Sequence, residues 1–211
     1  MSQPRLELVL GTRNRKKGRE LADLFAPAGI AVRTLDEFPS AVEVEEDGDS
    51  FAANASKKAI QQARAVGRWV LGEDSGLSVD ALDGAPGIFS ARFSGASATD
   101  EQNNRHLLKK LEETPPEKRS AHYVCYMVVS DPAGNVRAES EGICRGRIRN
   151  APSGTAGFGY DPLFEILEYH RTFGELGEAV KAALSHRARA ARKLLPQLLK
   201  VLSESPTAGA Q

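Results

Sequence analysis

Thr12, Arg13, Asn14, Arg15, Lys16 and Lys17 follow an apolar run and open a helical pattern. Backbone amides at a helix start, reinforced by the helix dipole, favour an anion such as phosphate. Thr12 and Asn14 add hydrogen-bond donors and Lys17 a full positive charge, and Arg13, Arg15 and Lys16 complete the candidate anion-binding set. The Gly-x-x-x-x-Gly-Lys-Ser/Thr spacing of a P-loop is missing. Taken alone, the segment reads equally well as a solvated basic helix start.

A second set is acidic. Glu45, Glu46, Asp47 and Asp49 crowd one connection, and Glu73-Asp74-Ser75-Gly76 follows an apolar stretch. Carboxylates from both places could share a magnesium ion with phosphate oxygens, because magnesium favours carboxylate, water and phosphate ligands. Glu46 and Asp74 are the candidate metal ligands. Asp74 is also the candidate general base, ionised at neutral pH but weak unless its pKa is raised. Ser75 brings a hydroxyl near the phosphates. An acidic connection is otherwise usually a solvated one.

A third set suits an aromatic base. Phe158 and Tyr160, set between Gly157, Gly159 and Asp161, could lay a ring against a purine, although such aromatics more often pack in a core. Asp161 can accept from a base or ribose. His186 and Arg187 can donate to a carbonyl at the six-position of a purine, with Ser185 capping their helix. Adenine offers a donor amine there, so buried donors would face a donor, at a cost of a few kcal/mol.

The elements needed to position these residues are those of an α/β protein. Residues 6–10 read as a buried strand and 16–25 as a helix with Leu21, Leu24 and Phe25 inward. Residues 30–35 read as a second strand. Ser50 caps a helix over 51–66 that Gly67 ends. Residues 69–71 form a short strand with the acidic motif at its end, where ligands collect in open α/β sheets. Residues 82–97 are irregular, and Thr99 caps a helix to about 111. Strands over 120–130 and 136–147 are joined by the turn 131–135. A closing helix covers 185–202, and 203–211 is expected to be a disordered tail.

The chain has 28 basic and 28 acidic residues and a formal net charge of zero, which disfavours a protein that binds nucleic acid through a broad basic face. No stretch reads as a signal peptide or membrane span, so the cytoplasm is the expected compartment. Cys125 and Cys144 form no disulfide framework, and Cys125 reads as a buried free thiol; a bond between the two stays open.

Together, residues 73–95, Gly157-Phe-Gly-Tyr-Asp-Pro162 and Ser185-His-Arg187 resemble the inosine triphosphate pyrophosphatase family, in family order, across residues 8–195. The resemblance implies an elongated, twisted mixed sheet with flanking helices, arranged as one two-lobed domain over 1–202 around a central substrate cleft. It implies magnesium-dependent cleavage of inosine, deoxyinosine and xanthosine triphosphates to a monophosphate and pyrophosphate, and a homodimer. Thr12, Asn14 and Lys17 would hold the triphosphate. Asp74 would be metal ligand and base, and Glu46 a second metal-associated carboxylate. Ser75, Phe158, Gly159, Tyr160, Asp161, Lys181, His186 and Arg187 would line the substrate site, with Lys58 and Arg92 as further phosphate contacts. Three positions depart from the family pattern: Arg13 replaces a glycine, Glu73 an aspartate, and Ala53 a glutamate. A pyrophosphatase for modified pyrimidines and an inactive nucleotide-binding regulator are the other readings.

Overall fold

The computed structural model describes residues 6–204. β1 (Leu6–Leu10) leads to α1 (Arg15–Phe25) and β2 (Ile30–Thr34), then α2 (Phe51–Val66) and β3 (Val70–Val79). After α3 (Asp100–Lys110) come β4 (Ser120–Ser130), β5 (Val136–Ile148), β6 (Phe164–Ile166) and β7 (Arg171–Thr172). α4 (Phe173–Leu184) and α5 (His186–Glu204) close the chain. The strands form one mixed sheet in the order β2-β1-β3-β4-β5-β6-β7. β1 pairs parallel with β2 and β3, while β6 pairs antiparallel with β5 and β7. The fold is therefore α/β, with helices flanking a mixed sheet.

Local chemistry explains most boundaries. The Asn14 side chain caps α1, and Ser50 Oγ caps α2 by accepting from the Ala53 amide at 3.2 Å. Gly67 ends α2 in the left-handed region, at φ 63°, which costs a glycine little. Asp131 builds the turn between β4 and β5, accepting from the amides of Ala133 and Asn135 at 3.0 Å each.

One expectation is corrected. β3 is ten residues long and does not stop before the acidic motif; Glu73, Asp74, Ser75 and Gly76 lie inside it. A strand buried along nearly its whole length lacks the alternation that marks a half-exposed one. Residues 167–184 contain β7 and α4, neither of which the apolar pattern showed. Ser203 and Glu204 belong to α5, and the rest of the expected tail, 205–211, lies outside the described residues.

By internal packing the chain divides into two units. The first takes the described residues up to Asp74, Tyr126–Glu141 and those from Ala190 onward. Its core includes Val9, Leu35, Ala63 and Val70, and a second cluster of Ala55, Ala59 and Val128. The second takes Ser75–Cys125 and Gly142–Arg189, around Leu77, Leu107, Tyr123, Tyr160, Phe164 and Phe173. Among the described residues no helix is long and apolar enough to cross a membrane.

Cys125 and Cys144 are both free and buried. Burial is the main cause that pushes the Cys144 thiol up to about 11. Since the thiolate is the reactive form, a thiol reagent at pH 8 is expected to leave the native protein unlabelled and to label both cysteines in denaturant. Rapid labelling without denaturant would contradict this packing.

Candidate active site

In the first unit the site is built on the contact between α2 and β3. A Cβ at Gly72 would collide with the Ala55 carbonyl and lie 2.6 Å from the Ala59 amide. The bare glycine and the two small alanines let the helix lie directly on the strand. This contact sets Asn54 and Lys58, on the same face of α2, beside Asp74. Gly72→Ala is expected to cost about 2–3 kcal/mol of stability, because the obstacle is backbone and cannot swing aside. Urea unfolding measures it, and an unchanged midpoint would show that this contact is loose.

Successive side chains along a strand point to opposite sides, so Glu73 and Asp74 meet different partners. Lys17 of α1 sits 2.9 Å from the Glu73 carboxylate, which is 1% exposed. Lys58 lies 2.9 Å from Asp74 Oδ1 and 2.9 Å from Glu46 Oε2, and donates to the Glu73 carbonyl at 3.2 Å. Asn54 Nδ2 donates to Asp74 Oδ2 at 3.3 Å while its Oδ1 accepts from the Gly48 amide at 2.8 Å.

Burial raises the pKa of Asp74 above the ordinary aspartate value, opposed by Lys58 and Lys17 and reinforced by Glu46. Burial works against the Lys58 ammonium, but Asp74 and Glu46 together outweigh it and raise its pKa. The two directions agree physically. One cation facing two carboxylates is over-compensated, whereas Asp74 has to share that cation.

The acidic connection is therefore held, not merely solvated. Gln62, one helical turn beyond Lys58, accepts from the Val42 amide at 3.2 Å and donates to its carbonyl at 2.6 Å. Lys57 pairs with Asp47. Asn54, Lys58 and Gln62 recur every four residues and are all buried, so α2 carries a polar stripe that binds residues 42–48. That spacing was visible in the sequence and was the signal for Asn54 and Gln62, which sequence reasoning passed over. Lys58 had been assigned only to phosphate.

At the start of α1, Asn14 Oδ1 accepts from the amides of Lys16 at 3.0 Å and Lys17 at 3.2 Å. Thr12 Oγ1 accepts from the Asn14 amide at 3.1 Å. Two of the amides expected to face phosphate are thus engaged by the cap. The anion-attracting capacity here lies in the side chains of Arg13, Asn14, Arg15 and Lys16, all exposed, and in half-buried Lys17. Arg13 fits without backbone strain, because the described non-glycine residues with positive φ are Asp83 and His170.

The second unit gathers the remaining candidates. Asp161, 2% exposed, accepts from Lys181 Nζ at 2.6 Å and from the Phe158 amide at 2.9 Å. The Lys181 ammonium lies 4.2 Å from the centroid of the Phe158 ring, and the Arg187 guanidinium 5.8 Å from it. Arg187 is 1% exposed and donates to Ser75 Oγ at 3.0 Å. His186, 4% exposed, stacks on Tyr123 at 4.6 Å between centroids and an interplanar angle of 11°.

Helix α3 grips the loop. Asp100 accepts from the Gly159 amide at 2.9 Å, and Asn104 donates to the Gly159 carbonyl at 2.9 Å. Gly159 has φ 63°, where a side chain would be strained. The two aromatics of the motif divide. Tyr160 is 3% exposed, belongs to the core and donates its hydroxyl to the Ser90 carbonyl at 2.8 Å. Phe158 remains half-buried beside the cations. Arg92 lies over Phe89, with 5.2 Å between guanidinium and ring centroid.

Among the described residues no three His, Cys, Asp or Glu side chains converge as metal ligands. The donor set beside Lys58 is two carboxylates, Glu46 and Asp74. Such a pair fits magnesium, which takes one or two carboxylates from a protein and completes its octahedron with water and substrate phosphates.

The first unit thus sets a buried carboxylate beside a lysine, and the second a half-buried aromatic ring beside buried donors. The chain belongs to the Ham1 family, whose sequence model matches residues 8–197. It is 55% identical over 201 residues to a dITP/XTP pyrophosphatase of Rhodopirellula baltica, covering 95% of this chain and 97% of that protein. A dITP/XTP pyrophosphatase of Desulforamulus reducens is 46% identical, over 90% and 94% of the two chains. Among solved structures, a HAM1 protein from Coxiella burnetii superposes with a TM-score of 0.82 at 36% identity, covering 95% of this chain and all of that one.

Proposed function

We propose that the chain hydrolyses inosine, deoxyinosine and xanthosine triphosphates to the monophosphate and pyrophosphate, keeping these purines out of DNA and RNA. The observation that carries this reading is Asp74, a buried carboxylate of raised pKa held between Lys58 and Asn54. The names of the relatives, dITP/XTP pyrophosphatase, support release of pyrophosphate from deoxyinosine and xanthosine triphosphates. Lys17, Lys58 and the exposed basic start of α1 suit the phosphates, and Phe158, His186 and Arg187 suit a six-oxo purine.

In the proposed step, the oxygen of a water molecule bonds to the α-phosphorus and the bond to the bridging oxygen breaks. Pyrophosphate departs, and the proton of the water passes to the Asp74 carboxylate. In the chain without metal, burial raises the Asp74 pKa, the direction that strengthens a base. Glu46 and Asp74 would hold magnesium, which supplies positive charge to the phosphate oxygens when bound. Lys17 neutralises phosphate charge in the same sense. His186 and Arg187 donate to the six-oxo group, and the adenine amine is excluded because it would put donor against donor.

Purified protein with magnesium and, separately, inosine, xanthosine, adenosine and guanosine triphosphates tests this. Inosine monophosphate with pyrophosphate, adenosine and guanosine triphosphates being largely spared, is the expected result. Orthophosphate with a diphosphate product would overturn the cleavage point, and no turnover would favour a nucleotide-binding regulator. The enzyme is further proposed to act in the cytoplasm as a homodimer through the β4–β5 hairpin, and a monomeric mass in solution would exclude the dimer.

A further inference from the structure

Behind His186 lies a series of aromatic rings. Phe173 stacks on Phe164 at 5.7 Å, Phe164 meets Tyr123 at 4.7 Å and a 54° tilt, and Tyr123 stacks on His186 at 4.6 Å and 11°. Phe173, Phe164 and Tyr123 all belong to one hydrophobic core, and Phe173 and Phe164 are 1% and 0% exposed. The imidazole at the first residue of α5 is therefore laid parallel to a ring that the core itself fixes. Tyr123 also brings its hydroxyl to 3.4 Å from Asp161 Oδ1, the carboxylate that binds Lys181 and the Phe158 amide. One tyrosine of β4 thus touches both the histidine and the carboxylate that orders the Phe158 loop.

We propose that Tyr123 is the positioning residue for purine selection: its ring sets the plane of His186. The proposal rests on the six-oxo purine reading given above. A histidine donor discriminates between an acceptor and a donor only along its N–H direction, since hydrogen bonds weaken steeply below about 120°. An imidazole free to rotate could turn away from an adenine amine and so relax the mismatch. Stacking at 11° removes that freedom, and aromatic pairs of this kind contribute beyond their buried area. The rings and the carboxylate that Tyr123 meets, Phe164, His186 and Asp161, all belong to the purine side of the proposed site, so its removal should alter choice more than chemistry.

The test compares Tyr123→Phe, which keeps the ring, with Tyr123→Leu, which removes it. For Tyr123→Leu the ratio of kcat/KM for inosine over adenosine triphosphate is expected to fall about 10-fold, mostly through KM for inosine triphosphate. Tyr123→Phe is expected to restore most of the ratio. An unchanged ratio in a folded Tyr123→Leu protein would overturn the proposal, as would an equal loss in Tyr123→Phe. Proton NMR supplies a measurement that needs no folded leucine variant. In the wild-type protein the His186 ring protons, assigned by their disappearance in His186→Asn, should lie upfield of exposed histidines through the Tyr123 ring current. Normal shifts would mean that the stack is not populated, and would sink the proposal even if the enzyme prefers inosine triphosphate. Wild-type protein without any purine preference, but with the shifted resonances, would instead refute the functional reading on which it rests.

Discussion

Asp74→Asn is expected to lower kcat for inosine triphosphate by about 10²–10⁴-fold, the range of a lost general base. The substitution keeps shape and hydrogen-bonding reach beside Asn54 and Lys58, so the loss reports on the proposed proton acceptor and on one unit of charge at the proposed metal site. Thermal melting separates these from misfolding. A carboxyl whose native pKa is raised above its unfolded value destabilises the fold when ionised. That cost is absent below about pH 4 and fully developed above the native pKa. At pH 7 the asparagine variant should therefore melt no lower than the wild type, Lys58 keeping its pair with Glu46. Retained hydrolysis in Asp74→Asn would remove the base assignment.

Asp161→Asn should have the largest effect on stability. It deprives the Lys181 ammonium, 6% exposed, of a carboxylate at 2.6 Å. Breaking a buried pair from one side costs about 3–5 kcal/mol, because a desolvated charge stays behind. In a chain of this size that corresponds to a melting temperature lower by about 10 °C. Adding Lys181→Met should recover much of the loss, since it removes the stranded charge. Losses that simply add in the double variant would show that the pair is not coupled. The same carboxylate accepts from the Phe158 amide, so weaker purine selection should accompany the destabilisation.

The sequence revealed what is governed by local rules. Ser50 and Gly67 bound α2 at both ends, and the Asp131 turn separates two strands found close to their expected limits. Where packing overrides pattern, reading failed. Gly72, Glu73, Asp74 and Gly76 look like a strand's end, yet β3 continues through them because α2 covers Gly72 and lysines satisfy the acids. α4 was hidden by Gly174 and by Gly177, which has φ 75° inside it, although Thr172 and Glu175 formed a legible capping box. The candidate site was legible in its residue types but not in its pairings. Nothing in one dimension shows that Lys58 faces Glu46 and Asp74 together, or that Tyr123 lies under His186.

The bridging lysine has a consequence for how the protein is assembled. In many small metalloproteins the metal must arrive before the chain can fold, because only it neutralises the converging ligands. Here the chain brings a counter-ion of its own: Lys58 lies between the two acids and offsets one of their two negative charges. On the proposed magnesium assignment, folding and metal loading are thereby uncoupled. A chelator should consequently stop turnover while leaving the melting temperature within about 2 °C, a shift of under 1 kcal/mol. A chelator-induced loss of the fold would show the lysine insufficient. On that assignment the ion governs turnover, and the fold stands without it.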